Sequence, residues 1–164
     1  MHKFFSKKTI LYFGIVIFIF SLDRISKLYI LSVLEDLGTV DININSYINL
    51  ILVWNTGIGF GLFSFEQSDM YNLMTILIVF INLLIVYLII KLKDIRAYFF
   101  LIVLGGSLGN LFDRIYYSAV LDFIDISFKN FHWFIFNVAD IFISIGIICL
   151  IFAELLIYKR NHEN

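Results

Sequence analysis

Apolar residues run along this chain in four long stretches, at roughly 9–31, 70–90, 97–117 and 136–157. Each has the length of about 20 residues that carries an α-helix across the hydrocarbon core of a bilayer. The second stretch, YNLMTILIVFINLLIVYLII, is almost uninterrupted, whereas the other three hold ionisable and amide residues. Between the first and second stretches the pattern changes. TVDININ at 39–45 alternates apolar and polar positions, as a half-exposed strand does. NLILVW at 49–54 is an apolar run of strand length, and GIGFGLF at 57–63 has the glycines that permit tight turns and close backbone approach. VLDFIDI at 120–126 offers a further strand. The pattern predicts a membrane α-helical fold: a four-transmembrane-helix bundle with a small outward-facing β-sheet in the outer segment 35–69, all within one integral membrane domain over 1–164.

Composition fits that solvent. Hydrophobic residues make up 61% and charged residues 15% of the chain, against about 45–50% and about 25% for soluble domains. A net charge of −1 gives no reason to expect a nucleic-acid partner. The single cysteine, Cys149, can form neither an internal disulfide nor a cysteine cluster for metal. Lys7 and Lys8 ahead of an apolar run resemble a secretory signal. No small-residue cleavage site follows, and the run continues through DRISK at 23–27, so the segment reads as a retained first helix.

Lysine and arginine set the orientation. Lys3, Lys7 and Lys8 precede the first span, Lys91, Lys93 and Arg96 lie between the second and third, and Lys159 and Arg160 follow the fourth. Segment 35–69 has no lysine or arginine, and 118–135 has only Lys129. The positive-inside rule therefore places both termini and the 91–96 loop in the cytoplasm and the two longer segments outside.

With that orientation, the ionisable residues inside the spans share one depth. Asp23, Asp113 and Arg114 fall in the outer halves of outward-running helices, and Asp140 near the outer start of the inward-running fourth, with Asn110 and Asn137 in the same zone. The loop carrying Asp122 joins the third and fourth spans there. Ionisable groups in spans are costly and point to function. The pairs Asn110/Asp113 and Asn137/Asp140 are i,i+3, and Asp23/Lys27 is i,i+4, so each pair shares a helix face. An asparagine on such a face can donate to its aspartate and orient it. Gly105 and Gly109 form a small-xxx-small pattern for close helix approach.

Two aspartates sharing one proton can supply base and acid together for peptide hydrolysis, with no metal or cofactor. Other routes fare worse. His2, His132 and His162 are scattered, Ser107 has no base beside it, and Cys149 sits deep in an apolar span. The residues alone leave the pair open among Asp23, Asp113, Asp122, Asp125 and Asp140. Asp23 and Asp113 have cations beside them in sequence. A carboxylate without one is easier to keep protonated, which favours Asp122 with Asp140.

Five motifs in order, DRISK at 23–27, NTGIGFGLF at 55–63, GGSLGNLFDRI at 105–115, VLDFID at 120–125 and FNVAD at 136–140, resemble those of the bacterial lipoprotein signal peptidases over nearly the whole chain. The resemblance implies a membrane aspartic endopeptidase of the bacterial cytoplasmic (inner) membrane. Its substrates would be prolipoproteins, cut on the outer side just before a cysteine carrying diacylglycerol. It makes Asp122 and Asp140 the catalytic dyad, and Asn55 and Gly57, in the NTG motif, substrate-contacting. Asn110, Asp113, Arg114 and Asn137 brace site and substrate, and Asp23 and Lys27 support the structure. It implies a monomer among membrane lipids. Gly59, where the family often has alanine, and Arg24, where it commonly has glutamine, depart from the pattern; the first is expected to alter the substrate groove locally.

Plainer readings stand beside these. Asp23 with Lys27 reads as an intrahelical ion pair, Asp113 with Arg114 as a buried structural network, and Asn82 as an interhelical hydrogen bond. His132 and Trp133 read as interfacial anchors, Trp54 as a groove lining or an anchor, and Asp125 as solvent-facing because it lies on the opposite strand face from Asp122. The alternative function is a small proton-coupled carrier. A carrier needs polar residues along the whole path, and the cytoplasmic half has none comparable. A membrane scaffold leaves the converging carboxylates unexplained.

Overall fold

The computed structural model describes residues 6–57, 68–128 and 131–162, apart from the side chains of 68, 128, 131–133 and 161–162. Among these residues four helices are long and apolar enough to cross a membrane: α1 (Lys7–Leu37), α2 (Ser68–Lys91), α3 (Arg96–Tyr117) and α4 (Val138–His162). Their flanks carry large exposed apolar side chains such as Ile25, Phe80, Leu83 and Phe152, a surface suited to lipid. Helix α1 runs past the expected 9–31 at both ends because both ends are capped. The Ser6 hydroxyl accepts from the Thr9 N–H at 3.1 Å. Gly38, at φ 72°, donates its N–H to the Leu34 carbonyl, the left-handed ending that glycine adopts without strain.

The connections between α1 and α2 and between α3 and α4 both contribute strands: β1 (Asp41–Asn43), β2 (Ile48–Asn55), β3 (Val120–Phe128) and β4 (Phe131–Phe136). They form one antiparallel sheet in the order β1-β2-β3-β4 at one end of the bundle. The expected strands in 39–54 and 120–126 are present. β4 lies where the sequence reading had an outer loop, since FHWFIF, apolar but for His132, lacks the alternation that marks a half-exposed strand. Most of GIGFGLF, including Gly59, and the side chains of His132 and Trp133 lie outside the described residues.

Helix α3 is the hub, packing on α1, α2 and α4. Its glycines make that possible. A Cβ at Gly105 would meet the Ile19 Cβ of α1 at 2.8 Å, and one at Gly109 the Asp23 Oδ2 at 2.5 Å, so the expected close approach is made, and it is made to α1. A Cβ at Gly106 would stand 2.6 Å from the Ala139 carbonyl oxygen of α4, a backbone atom that cannot swing aside. Gly106→Ala is therefore expected to destabilise the protein by about 1–3 kcal/mol, while Gly14→Ala, with open space around it, costs little. Unfolding midpoints in detergent check this; equal effects at the two sites would contradict the packing.

Two of the plainer readings need correction. Asn82 is buried, but its amide has no hydrogen-bond partner among the described residues, because it lies on the same stripe of α2 as Ile85 and Ile89, which pack into an apolar cluster. Asp125 is not solvent-facing; it is fully buried. It does lie on the face opposite Asp122, but that face is covered as well. Leu121 and Phe123, of the same parity, pack with Ile30 and Val40, and the Asn49 amide reaches the Asp125 carboxylate at 3.4 Å.

Candidate active site

The predicted polar residues meet where the sheet joins the bundle. Asp122 comes from β3 and Asp140 from the first turn of α4. Both are held by asparagines whose amides can point only one way. Asn137 sits just ahead of α4: its Oδ1 accepts from the Asp140 N–H at 3.1 Å, and Asp140 Oδ2 accepts from the Asn137 N–H at 3.2 Å. This reciprocal pair is a capping box, and it satisfies helix-start donors that would otherwise be orphaned. With its oxygen so engaged, Asn137 must turn Nδ2 outward, and it donates to Asp122 Oδ1 at 2.6 Å. Asn55 works the same way. Its Oδ1 accepts from the Gly57 N–H at 2.8 Å, and its Nδ2 donates to Asp122 Oδ2 at 2.9 Å.

A β-bulge makes the Asn55 contact possible. Leu50 pairs with Ile124, but Val53 pairs with Asp122 and Asn55 with Val120, so β2 gains one residue between Leu50 and Val53. Continued without the bulge, the register would turn the Asn55 side chain to the face opposite Asp122.

Beside the two aspartates lies a buried quartet of charges. Lys27 Nζ is 2.9 Å from Asp23 Oδ2 and 2.6 Å from Asp113 Oδ2, and Arg24 Nη2 is 3.2 Å from Asp23 and 2.6 Å from Asp113. Two cations thus offset two anions. Oxygens of the quartet also grip backbone on either side of the site. Asp23 Oδ1 accepts from the Ala139 N–H at 3.0 Å, and Asp113 Oδ2 accepts from the Leu121 N–H at 3.3 Å. Each contact lies one residue before one of the two aspartates. The expected Asp23–Lys27 pair is present, but it belongs to this larger network.

The expected pairing of Asp113 with Arg114 does not occur. Adjacent residues on a helix point about 100° apart, so Asp113 faces α1 while Arg114 faces the site. There Arg114 donates to the Gly57 carbonyl at 3.0 Å, and the Tyr71 hydroxyl of α2 donates to the Arg114 carbonyl at 3.1 Å. Asn110 serves Asp140 rather than its i,i+3 neighbour Asp113, donating to Asp140 Oδ1 at 2.7 Å. Sequence reasoning missed the contact made by Tyr71, which looks like one more apolar-span residue. It left Arg24 unplaced; the guanidinium also lies 4.7 Å over the Phe112 ring.

Asn55, Asn110, Arg114, Asp122 and Asp140 line a cleft of about 350 Å³. Away from them its walls are mostly apolar, with Leu77, Ile78 and Ile81 on α2 and Ile143 and Ile147 on α4, beside Ser107 and Ser144. Trp54 lies outside this lining; its ring packs on Tyr117 at 5.3 Å. Burial pushes the Asp122 carboxyl up to about 6, and the charge of Asp140 adds to the rise; the Asn55 and Asn137 amides and the charge of Lys27 pull it partly back. Between the ordinary value of 3.8 and about 6, the folded chain holds this proton and the unfolded chain has released it. Stability from this group therefore falls as pH rises through that window and levels off above it. Asp122→Asn is expected to flatten this part of the curve of unfolding midpoint against pH; an unchanged slope would contradict the burial.

Residues 15–156 match the family model described as signal peptidase (SPase) II. The chain is 49% identical over 166 residues to the lipoprotein signal peptidase of Pelagibacter ubique (strain HTCC1062), covering all of both chains. It is 40% identical over 154 residues to that of Anaplasma phagocytophilum (strain HZ), covering 92% of this chain and 96% of the relative. Among solved structures it resembles a bacterial membrane enzyme determined by the in meso method at 2.3 Å resolution, with a TM-score of 0.73 and 26% identity over 98% of this chain and 95% of the other. The carrier alternative finds no support in these matches. The chain, a multi-pass membrane protein, thus belongs to the signal peptidase II family of peptidases.

Proposed function

We propose that this protein is an aspartic endopeptidase that removes signal peptides from diacylglyceryl-modified prolipoproteins, cutting before the lipidated cysteine, with Asp122 and Asp140 as its dyad. The observation that carries the reading is the pair of aspartates from two different elements, each held by orientation-locked amides at the polar end of an apolar cleft. One carboxylate takes a proton from water while the other, protonated, donates to the scissile carbonyl. The tetrahedral intermediate then collapses as the leaving amine is protonated. The same pair can pass that proton, so the cycle closes without a covalent intermediate, a metal or a cofactor.

The cleft suits a substrate that stays in the membrane. Its apolar part lies between α2 and α4 and faces a signal helix entering sideways from lipid, while the scissile bond rests at the polar end. Arg114 and the Gly57 backbone, joined to each other, brace the entering strand of substrate. The lysine and arginine bias places both termini in the cytoplasm and this end of the bundle at the outer face of the bacterial inner membrane. The enzyme acts as a monomer of one integral domain.

The test is cleavage in detergent micelles of a diacylglyceryl-modified prolipoprotein beside its unmodified precursor. The expected product begins at the lipidated cysteine, and the unmodified precursor is cut far more slowly. Equal cleavage of both would remove the lipid from the recognition.

A further inference from the structure

Two aspartates that share a proton are not equivalent unless their surroundings are, and here the surroundings differ. Lys27 Nζ has three hydrogens and no acceptor. Asp23 Oδ2, Asp113 Oδ2 and Asn110 Oδ1 take all three, at 2.9, 2.6 and 3.0 Å. The oxygen of the Asn110 amide is therefore fixed toward the ammonium, since the flipped amide would set NH2 against NH3+. Its Nδ2 must then face Asp140 Oδ1, which it does at 2.7 Å. Asp140 Oδ2 receives the Asn137 backbone N–H in the first turn of α4, where the helix dipole favours negative charge. Asp122 lies on a strand and, among the described residues, receives the side-chain amides of Asn55 and Asn137. Both line the cleft, but Asp122 has almost no exposed surface, while Asp140 keeps some.

We propose that Lys27, acting through Asn110, is the positioning residue that keeps Asp140 the ionised, water-activating member of the dyad and leaves the shared proton on Asp122. The assignment rests on the dyad reading above and gives each aspartate its role. An amide polarised by an ammonium is a stronger donor than a free one, and a donor to the charged form of a carboxyl favours that form. Asp140, the more exposed, meets the water; Asp122, the more buried, presents its proton to the carbonyl. The other charged and titratable groups around the pair have hydrogen-bond or ion-pair partners of their own. On α1, Asp23 is committed to the quartet and the Ala139 N–H, and Arg24 to the quartet. On α3, Asp113 is in the quartet and Arg114 donates to the Gly57 carbonyl; on α2, the Tyr71 hydroxyl donates to the Arg114 carbonyl.

Lys27→Met leaves two buried carboxylates short of a cation, so the test uses the folded wild type and Asn110→Leu. In the variant Lys27 keeps both its carboxylates. Carboxyl-carbon NMR of aspartate-labelled wild type in micelles, with signals assigned from Asp122→Asn and Asp140→Asn, reads the proton directly. Where one proton is bound per dyad, Asp122 is expected to show the shift of an acid and Asp140 that of a carboxylate. The reverse pattern, or a proton divided evenly, overturns the proposal. In Asn110→Leu the acid limb of the kcat/KM profile, which reports ionisation of the base, is expected to move up by about 1–2 pH units; an unmoved acid limb also overturns it. The dyad reading fails by a separate result: cleavage at the wild-type rate retained in either folded Asp→Asn variant.

Discussion

Lys27→Met is expected to lower stability by about 3–5 kcal/mol, the cost of removing one partner from a buried ion network. The ammonium is 1% exposed and the two carboxylates it holds are fully buried. Without it Arg24 alone faces both. One carboxylate must then bind a proton or stay charged in a dry site, and the quartet's grip on Ala139 and Leu121 loosens. The unfolding midpoint in detergent reads the loss. By contrast, the exposed Arg96–Glu154 pair, which ties α3 to α4 at the opposite end, is of the kind worth only about 0–1 kcal/mol. Arg96→Met is expected to cost correspondingly little. A small loss in Lys27→Met would mean that the quartet does not organise the site.

The second large effect is on rate. Asp140→Asn and Asp122→Asn each replace a carboxyl by an amide of the same shape. The helix start and the strand keep their backbone, and the quartet is untouched. What is lost is the exchangeable proton, or the lone pair that takes one, and general acid–base catalysis is typically worth about 10²–10⁴-fold. Since the two groups act as a unit, the double variant is expected to lose little more than either single one. The amides also meet the locked donors of Asn55, Asn110 and Asn137, so each variant leaves one donor facing an NH2. That costs some stability, but the charge of a buried carboxylate is removed as well, and the protein is expected to remain folded.

Much of this architecture is legible in the sequence, for definite reasons. Span lengths follow from bilayer thickness, and the run through DRISK stays helical because its charges are satisfied within the protein. The convergence of Asp23, Asp113, Asp122 and Asp140 follows from depth along helices of known direction. Their partners are another matter. Sequence adjacency suggested Arg114 for Asp113 and Asp113 for Asn110, yet Asp113 turns to Lys27 and Arg24, and Asn110 to Lys27 and Asp140. Neighbours along a helix point to different elements, and which element stands opposite is set by packing. The glycines of α3 carry that information only in part: Gly105 and Gly109 announce a close approach without naming α1. The bulge in β2 is hidden for a similar reason. ILVW reads as an even apolar strand, and only the pairing with β3 shows that one residue is extra. Asp125 shows the limit of parity, which gives its face correctly but not what covers that face.

The dyad is the centre of the account, and one assay addresses it most directly. Wild type, Asp122→Asn and Asp140→Asn, each with its unfolding midpoint measured, are given a diacylglyceryl-modified prolipoprotein in detergent under single-turnover conditions. Wild type is expected to cleave before the lipidated cysteine, and both folded variants to cleave at rates at least about 10²-fold lower. Cleavage at the wild-type rate by either folded variant would contradict the dyad.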